Sequence, residues 1–200
     1  MKKLSILSLL LVCGFGLTAC GDSKQTEVKE SVDNTEQVNK DDKTDNKAKE
    51  EEGDFVKTAA DAYFDGTMLK GNTYSIKITD YKIIPVGEKG NEYGDTPVIA
   101  FWYDTLVSPD YDNSEPVDPS TAWIMNFTAI QDNDPNMVNE LNVAGLPDDQ
   151  YLDSQIAEIK PGGTVSSAVA YELSDEETPV TLKAGSILGQ DFGQYDFKLK

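Results

Sequence analysis

Two short stretches concentrate the oxygen ligands that metal chemistry uses. Asp132-Asn-Asp-Pro-Asn136 sets Asp132, Asp134 and Asn136 at alternate positions. That is the spacing of positions 1, 3 and 5 of a calcium loop. The EF-hand pattern stops there. Met137 stands at position 6, where the loop needs Gly, and Val143 at position 12, where it needs Glu. The segment is therefore a weak calcium candidate, and an Asx-rich turn is the ordinary reading of such residues. Asp110-Tyr-Asp-Asn-Ser-Glu115, with Asp118 beyond it, is a second acidic loop and is weighed the same way.

The residue types that are missing narrow the chemistry further. The chain has no His, and its 17 basic residues are all Lys. Without imidazole there is no Ser-His-Asp or Cys-His machinery and no His ligand for zinc. No Gly-rich phosphate loop or dinucleotide fingerprint occurs, and no cofactor is expected. Carboxylate chemistry of the glycosidase kind survives this filter. Among the 24 acids of residues 55–200, however, two near neighbours carry little information.

Cys20 is the one thiol with a clear role. Lys2 and Lys3 precede an apolar run from Leu4 to about Leu17, and Thr18-Ala19-Cys20 follows. The run is shorter than the roughly 20 apolar residues that span a bilayer, and it suits a signal peptide. The pattern resembles a bacterial lipobox. That resemblance implies a diacylglycerol on the Cys20 thiol and cleavage before it. Several acyl chains hold a protein at a membrane where one is marginal. The expected organisation is a signal peptide over 1–19, then lipidated Cys20 opening an acidic tether over 20–54. A domain over 55–200 follows. The expected location is the outer face of the cell membrane. Cys13 would leave with the signal, so the domain has no disulfide and relies on its core.

Charge bears on partners. The formal net charge is −19. Residues 21–54 carry six Lys against 12 acids and hold only Val28, Val32, Val38 and Ala48 as apolar residues. Such a segment buries too little surface to offset its ordering entropy, and it reads as a disordered tether of roughly 30–35 Å r.m.s. span. Residues 55–200 carry nine Lys against 24 acids. Nucleic-acid binding rests on Lys and Arg displacing counterions, so no nucleic-acid partner is expected.

The elements that position any site begin at Phe55, where aromatic and β-branched residues appear between turn signals. Tyr74–Ile84 alternates through Ile76 and Ile78. It then switches phase to Tyr81 and Ile83, which predicts a bulge near Asp80. Pro97–Val107 is apolar on both faces, as a central strand covered on both sides would be. Ala122–Ile130 reads similarly. Thr164–Leu173 places Val165, Val169, Tyr171 and Leu173 on one face. Tyr63–Leu69 and Pro179–Ala184 are further strands, and Gln194–Lys200 puts Tyr195, Phe197 and Leu199 inward. Asn136–Ile159 is less regular and suits a long connection with a short strand and one helical turn. The whole predicts an all-β fold: an antiparallel, immunoglobulin-like β-sandwich of about seven strands.

Five segments in this order resemble a known family: Ile76-x-Ile-x-Asp-Tyr81, Ala129-Ile-Gln-Asp132, Ile159-Lys-Pro-Gly-Gly-Thr-Val165, Ala170-Tyr-Glu-Leu173 and Pro179-Val-Thr-Leu182. They are similar to a domain of unknown function in surface lipoproteins of low-GC Gram-positive bacteria. The resemblance covers about residues 62–184. It implies a fold like that of the mycobacterial immunoprotective extracellular antigens, which are immunoglobulin-like sandwiches. The family has no established catalytic residues, so none is carried over. Two departures stand out: the acidic segment after Cys20, and Gln131-Asp-Asn-Asp-Pro-Asn136 where a Gln-Asp-Gly turn would be expected.

Two function classes follow. One is a non-catalytic binding module held at the membrane by lipid on Cys20, facing a protein or wall-polymer partner. The other is a carboxylate hydrolase of wall polymers, which needs two acids from different strands to converge in one pocket. Trp102 and Trp123 are candidate stacking platforms for sugar or peptide, though their Ile, Ala and Phe neighbours favour core packing. Tyr93 and Tyr111 are candidate contact residues in loops.

Overall fold

The computed structural model describes residues 53–200. The expected signal peptide, Cys20 and nearly all of the tether lie outside the described residues. No helix among the described residues is long and apolar enough to cross a membrane.

The domain is an antiparallel sandwich of eight strands in two sheets. The first sheet has the order β1-β2-β3-β4-β6, with β1 at Tyr63–Phe64, β2 at Met68–Lys70, β3 at Tyr74–Ile84, β4 at Val98–Val107 and β6 at Thr164–Glu172. The second has the order β5-β7-β8, with β5 at Phe127–Ile130, β7 at Val180–Gly185 and β8 at Asp191–Phe197. The all-β sandwich expected from alternation is what forms. The strand count rises because Tyr63–Leu69 is a hairpin rather than one strand. Gly66 lies at its tip with φ +93°, and Asp65 Oδ1 accepts the N–H groups of Thr67 and Met68, both at 2.8 Å.

The β3 bulge lies where the phase switch puts it. Ile78 pairs with Tyr103, and the next partners are Asp80 and Trp102, so Thr79 is the extra residue. The Lys160–Gly163 turn also follows its sequence. Gly163 N–H donates to Lys160 O at 2.8 Å and Gly162 has φ +74°, which is a type II turn with Pro at its second position.

Strand β4 is the spine of the domain. Ile99, Phe101, Tyr103 and Val107 face the inter-sheet core. Its opposite face carries Val98 and Ala100, which form a second small cluster with Ile84 and Ala170 and pack against Trp102 and Ala144. The long connection covers that cluster. Ala144 N–H donates to Ala170 O at 2.8 Å, and Val143 bridges to Tyr171. The connection also holds two single 3₁₀ turns, at Asp149–Tyr151 and Ser154–Ile156.

Two expectations are corrected here. Ala122–Ile130 is not one strand: helix α1 spans Pro119–Ile124, and β5 begins only at Phe127. The cause is local. Asp118 caps the helix, its carboxylate accepting from Thr121 N at 2.9 Å, and Pro119 occupies the first turn, where a missing N–H costs nothing. The last strand runs from Asp191 to Phe197 and stops short of the terminus.

Helix α1 places Trp123 in the centre of the core, fully buried. Its ring lies 4.4 Å from that of Tyr103, 4.5 Å from Phe127 and 5.7 Å from Phe101. Its Nε1–H donates to Tyr171 Oη at 2.8 Å. Burial pushes the Tyr171 hydroxyl up to about 12, against the opposing effect of that hydrogen bond. The chain start is also tied down: Gly53 O accepts from Lys70 Nζ at 2.9 Å, and Asp54 O accepts from Ser75 Oγ.

Candidate functional site

The acidic loops that invite a metal are built into turns. Asp134 Oδ1 accepts the N–H groups of Asn136, at 2.7 Å, and Met137, at 2.9 Å. Asp112 Oδ1 accepts Ser114 N–H at 3.0 Å, and Asp118 is the helix cap. Asp132 is exposed. No cluster of three or more acidic or thiol ligands suited to a metal ion occurs among the described residues.

A residue without an obvious role in the sequence organises this end of the sandwich. Gln131 is fully buried. Its Nε2 donates to Asp175 O at 3.1 Å and Thr178 O at 2.8 Å, while its Oε1 accepts from Ser174 N and Oγ, both at 2.8 Å. Asn133 and Asn139 extend the knot, donating to Ser174 Oγ at 2.8 and 2.7 Å. Asp175 closes it, with its carboxyl held well below the usual carboxylate range by Asn133 Nδ2 and the N–H groups of Thr178 and Glu177. A Gln after an apolar strand end, followed by Asx residues, was the available signal.

The tryptophans are built into the fold. Trp123 is core, and Trp102 is half-buried beneath the long connection, with its Nε1–H 3.4 Å from Asp148 Oδ2. Tyr93 is 100 % exposed. Tyr111 is half-buried and folds onto its own loop through Oη to Glu115 O at 2.8 Å.

The exposed aromatics that share a cavity are Tyr81 and Tyr195. They line a cleft of about 630 Å³ with Asp65, Asp80, Asp196 and Lys198. The fold creates this cleft by running out of partners. Strand β2 pairs with β3 only at Ile76 and Lys77. Among the described residues β3 has no strand on that side beyond the bulge, and β8 is the last strand of the other sheet. Two sheet edges therefore face the same opening. The alternation that assigns Tyr195 inward is corrected: it is 48 % exposed, and Tyr81 is 41 % exposed. No third layer among the described residues covers their outer halves.

Both rings are braced from below. Phe197, buried, meets Tyr81 edge-on at 5.0 Å and Tyr195 at 5.1 Å. Phe197 in turn packs on Phe101 at 4.9 Å, which ties the cleft to the Trp123 cluster. The carboxylates are held in place by one oxygen each. Asp65 Oδ1 is used by its own turn, Asp80 Oδ1 accepts Tyr81 N–H at 2.9 Å, and Asp196 Oδ1 accepts Thr181 Oγ1 at 2.7 Å. A second surface groove, of about 510 Å³, runs past Ile124, Met125, Val138, Lys183 and Ile187, but its one aromatic lining residue, Phe127, is buried.

A family model described as a domain of unknown function (DUF5067) matches residues 24–186. The chain belongs to this family. The DUF5067 match takes in the sandwich through the end of β7, including β3 and Tyr81, and ends before β8. No curated protein matches the chain. A solved structure from Staphylococcus aureus subsp. aureus NCTC 8325, described as that of a "putative lipoprotein", is similar in fold. The TM-score is 0.56 at 21 % identity, over 70 % of this chain and 92 % of that one.

Proposed function

We propose that this DUF5067 protein is a lipid-anchored surface protein whose sandwich is a non-catalytic binding module, with the Tyr81–Tyr195 cleft as its binding site. The observation that carries the reading is the pair of half-exposed, braced tyrosines at an opening between two sheet edges. Exposed rings held by a packed scaffold are what recognition surfaces are made from, because they offer large contact area at little entropic cost. Lipid on Cys20 supplies the anchor, the acidic segment supplies reach, and the outer face of the membrane is where such a module meets a wall polymer or protein. The lipobox and the lipoprotein description of the staphylococcal relative in fold support that location. The two-sheet sandwich is the fold that kinship with the mycobacterial immunoprotective antigens would require.

One observation favours the hydrolase reading: Asp65, Asp80 and Asp196 come from three different elements and line one cleft. A carboxylate pair needs one member in an apolar pocket to act as an acid near neutral pH. All three acids here are exposed to water, so binding is the reading we adopt.

Tyrosine nitration tests the proposal. Intact cells and the purified chain are treated with tetranitromethane, and the peptides carrying Tyr81 and Tyr195 are quantified. Occupied clefts protect both residues on cells while Tyr93 reacts in both samples. Equal nitration of Tyr81 and Tyr195 in the two samples contradicts a role for the cleft.

A further inference from the structure

We infer that the cleft takes an extended basic peptide segment, with a Lys or Arg side chain seated against the exposed sides of Tyr81 and Tyr195. This rests on the cleft being the binding site, as proposed above, and adds the class of ligand.

Three features select a cation. Each of Asp65, Asp80 and Asp196 has its Oδ1 committed to a turn, a main-chain N–H or a hydroxyl. Among the described residues the second oxygen of each accepts no hydrogen bond, and Lys198 is the one cation that lines the cleft. Three carboxylates against one ammonium, in a domain already rich in acid, leave a negative potential that a cationic ligand would relieve. The rings match this. Each lies about 5 Å from Phe197, so the two centroids are no more than about 10 Å apart. At that limit the midpoint is filled by Phe197 itself, so the cation sits on the solvent side, against the exposed half of either ring, where a ring within ~6 Å attracts it.

The edge of β3 selects an extended segment over an isolated amine. From Thr79 onward the edge of β3 away from β4 has no strand beside it among the described residues, which leaves the cleft open between β3 and β8. Asp80 holds the Tyr81 N–H, so the edge is blunted against simple strand addition. Recognition then falls to side chains: the tyrosine faces and the acids. A neutral sugar would leave the three carboxylates uncompensated.

The test uses the chain from residue 20 onward, tether included, made soluble by Cys20→Ala. Fluorescence anisotropy follows a labelled ten-residue peptide of alternating Lys and Ser, with its Glu-Ser counterpart as control. The inference expects saturable binding of the Lys peptide alone. It also expects Tyr195→Ala and Tyr81→Phe/Tyr195→Phe to separate: loss of the ring weakens binding about tenfold or more, while Phe retains most of it. Acid removal at Asp110 and Asp112, far along the chain from the cleft residues, changes little. Binding that falls equally with Asp110→Asn/Asp112→Asn and with Tyr195→Ala is general charge attraction and overturns the inference. No peptide binding, with Tyr81 and Tyr195 still protected from nitration on cells, overturns the ligand class and leaves the site. No binding and no protection overturns both.

Discussion

Gly66 and Tyr195 are in van der Waals contact across the mouth of the cleft, and the contact leaves no room for a side chain. A methyl group on Gly66 would lie 2.3 Å from Cδ2 of Tyr195 and 2.4 Å from Cγ. Gly66 also has φ +93°, where an L side chain is strained. The hairpin tip thus sets the tilt of the Tyr195 ring. Gly66→Ala is expected to cost about 1–3 kcal/mol of stability and to weaken cleft binding. The measurement is a denaturant melt beside a binding titration. Unchanged binding in a folded variant would show that the ring orientation is immaterial.

Phe197 is the shared support of both tyrosines. Phe197→Ala is expected to cost about 3–5 kcal/mol, as other buried Phe truncations do. Phe197→Leu keeps most of the volume and is the more informative variant. It is expected to fold and to bind more weakly, because the edge-on ring contacts that brace Tyr81 and Tyr195 are gone. Thermal melts and the binding titration separate the two effects.

Gln131 holds two turns together from a buried position. Gln131→Leu leaves Asp175 O, Thr178 O and Ser174 N–H without their partner. These groups are only part-buried, so water recovers some of the ~1–3 kcal/mol that a fully buried stranded group costs, and the domain is expected to lose about 2–4 kcal/mol in all. A loss under about 0.5 kcal/mol by urea melt would mean that water replaces the amide.

Asp175 makes the domain acid-sensitive. Its carboxyl is depressed by Asn133 Nδ2 and the Thr178 and Glu177 N–H groups. A depressed acid stabilises the fold above its unfolded value of about 4, and that contribution is lost as pH falls toward the folded value. Asp175→Asn is expected to be less stable at pH 6 and to show a flatter loss between pH 5 and 2. Tyr171 works at the other end. Its hydroxyl is raised to about 12, so its contribution is present below its unfolded value of about 10 and is lost as pH climbs through the folded value. Melting temperature against pH, for Asp175→Asn at the acid end and the parent at both, checks the signs.

The start of the domain gives a sharper boundary than composition does. Deleting residues 21–52 is expected to leave the melting temperature unchanged. Extending the deletion through Asp54 removes the acceptors of Lys70 Nζ and the buried Ser75 Oγ. About 1–3 kcal/mol should follow from the longer deletion. Equal melting temperatures for the two deletions would show that these contacts contribute nothing.

Much of the architecture is legible in the sequence because periodicity reports which side of a strand is apolar. The phase switch from Ile78 to Tyr81 locates the bulge, and Pro161-Gly162 fixes the turn type. The two-faced apolarity of β4 is explained by the small cluster of Ile84, Val98, Ala100 and Ala170 beneath the long connection. Helix α1 escapes because a two-turn apolar stretch has no period of its own, and only Asp118-Pro119 marks its start. The cleft escapes for a different reason. Alternation puts Tyr195 and Tyr81 on the inner face, and it is silent on whether the opposing sheet reaches that far. Here β2 stops pairing with β3 before Tyr81 and β8 is the last strand of its sheet, so two residues that pattern as core become the candidate site.

The cleft as binding site is tested most directly by a residue-resolved footprint. Two-dimensional ¹H–¹⁵N NMR spectra of the Cys20→Ala chain from residue 20 are recorded during titration with the Lys-Ser peptide. The account predicts saturating shifts at Gly66, Asp80, Tyr81, Tyr195 and Asp196, with the amides of the 131–139 knot unmoved. Shifts spread over the acidic surface, or confined to the Ile124–Ile187 groove with Tyr81 and Tyr195 silent, would contradict it.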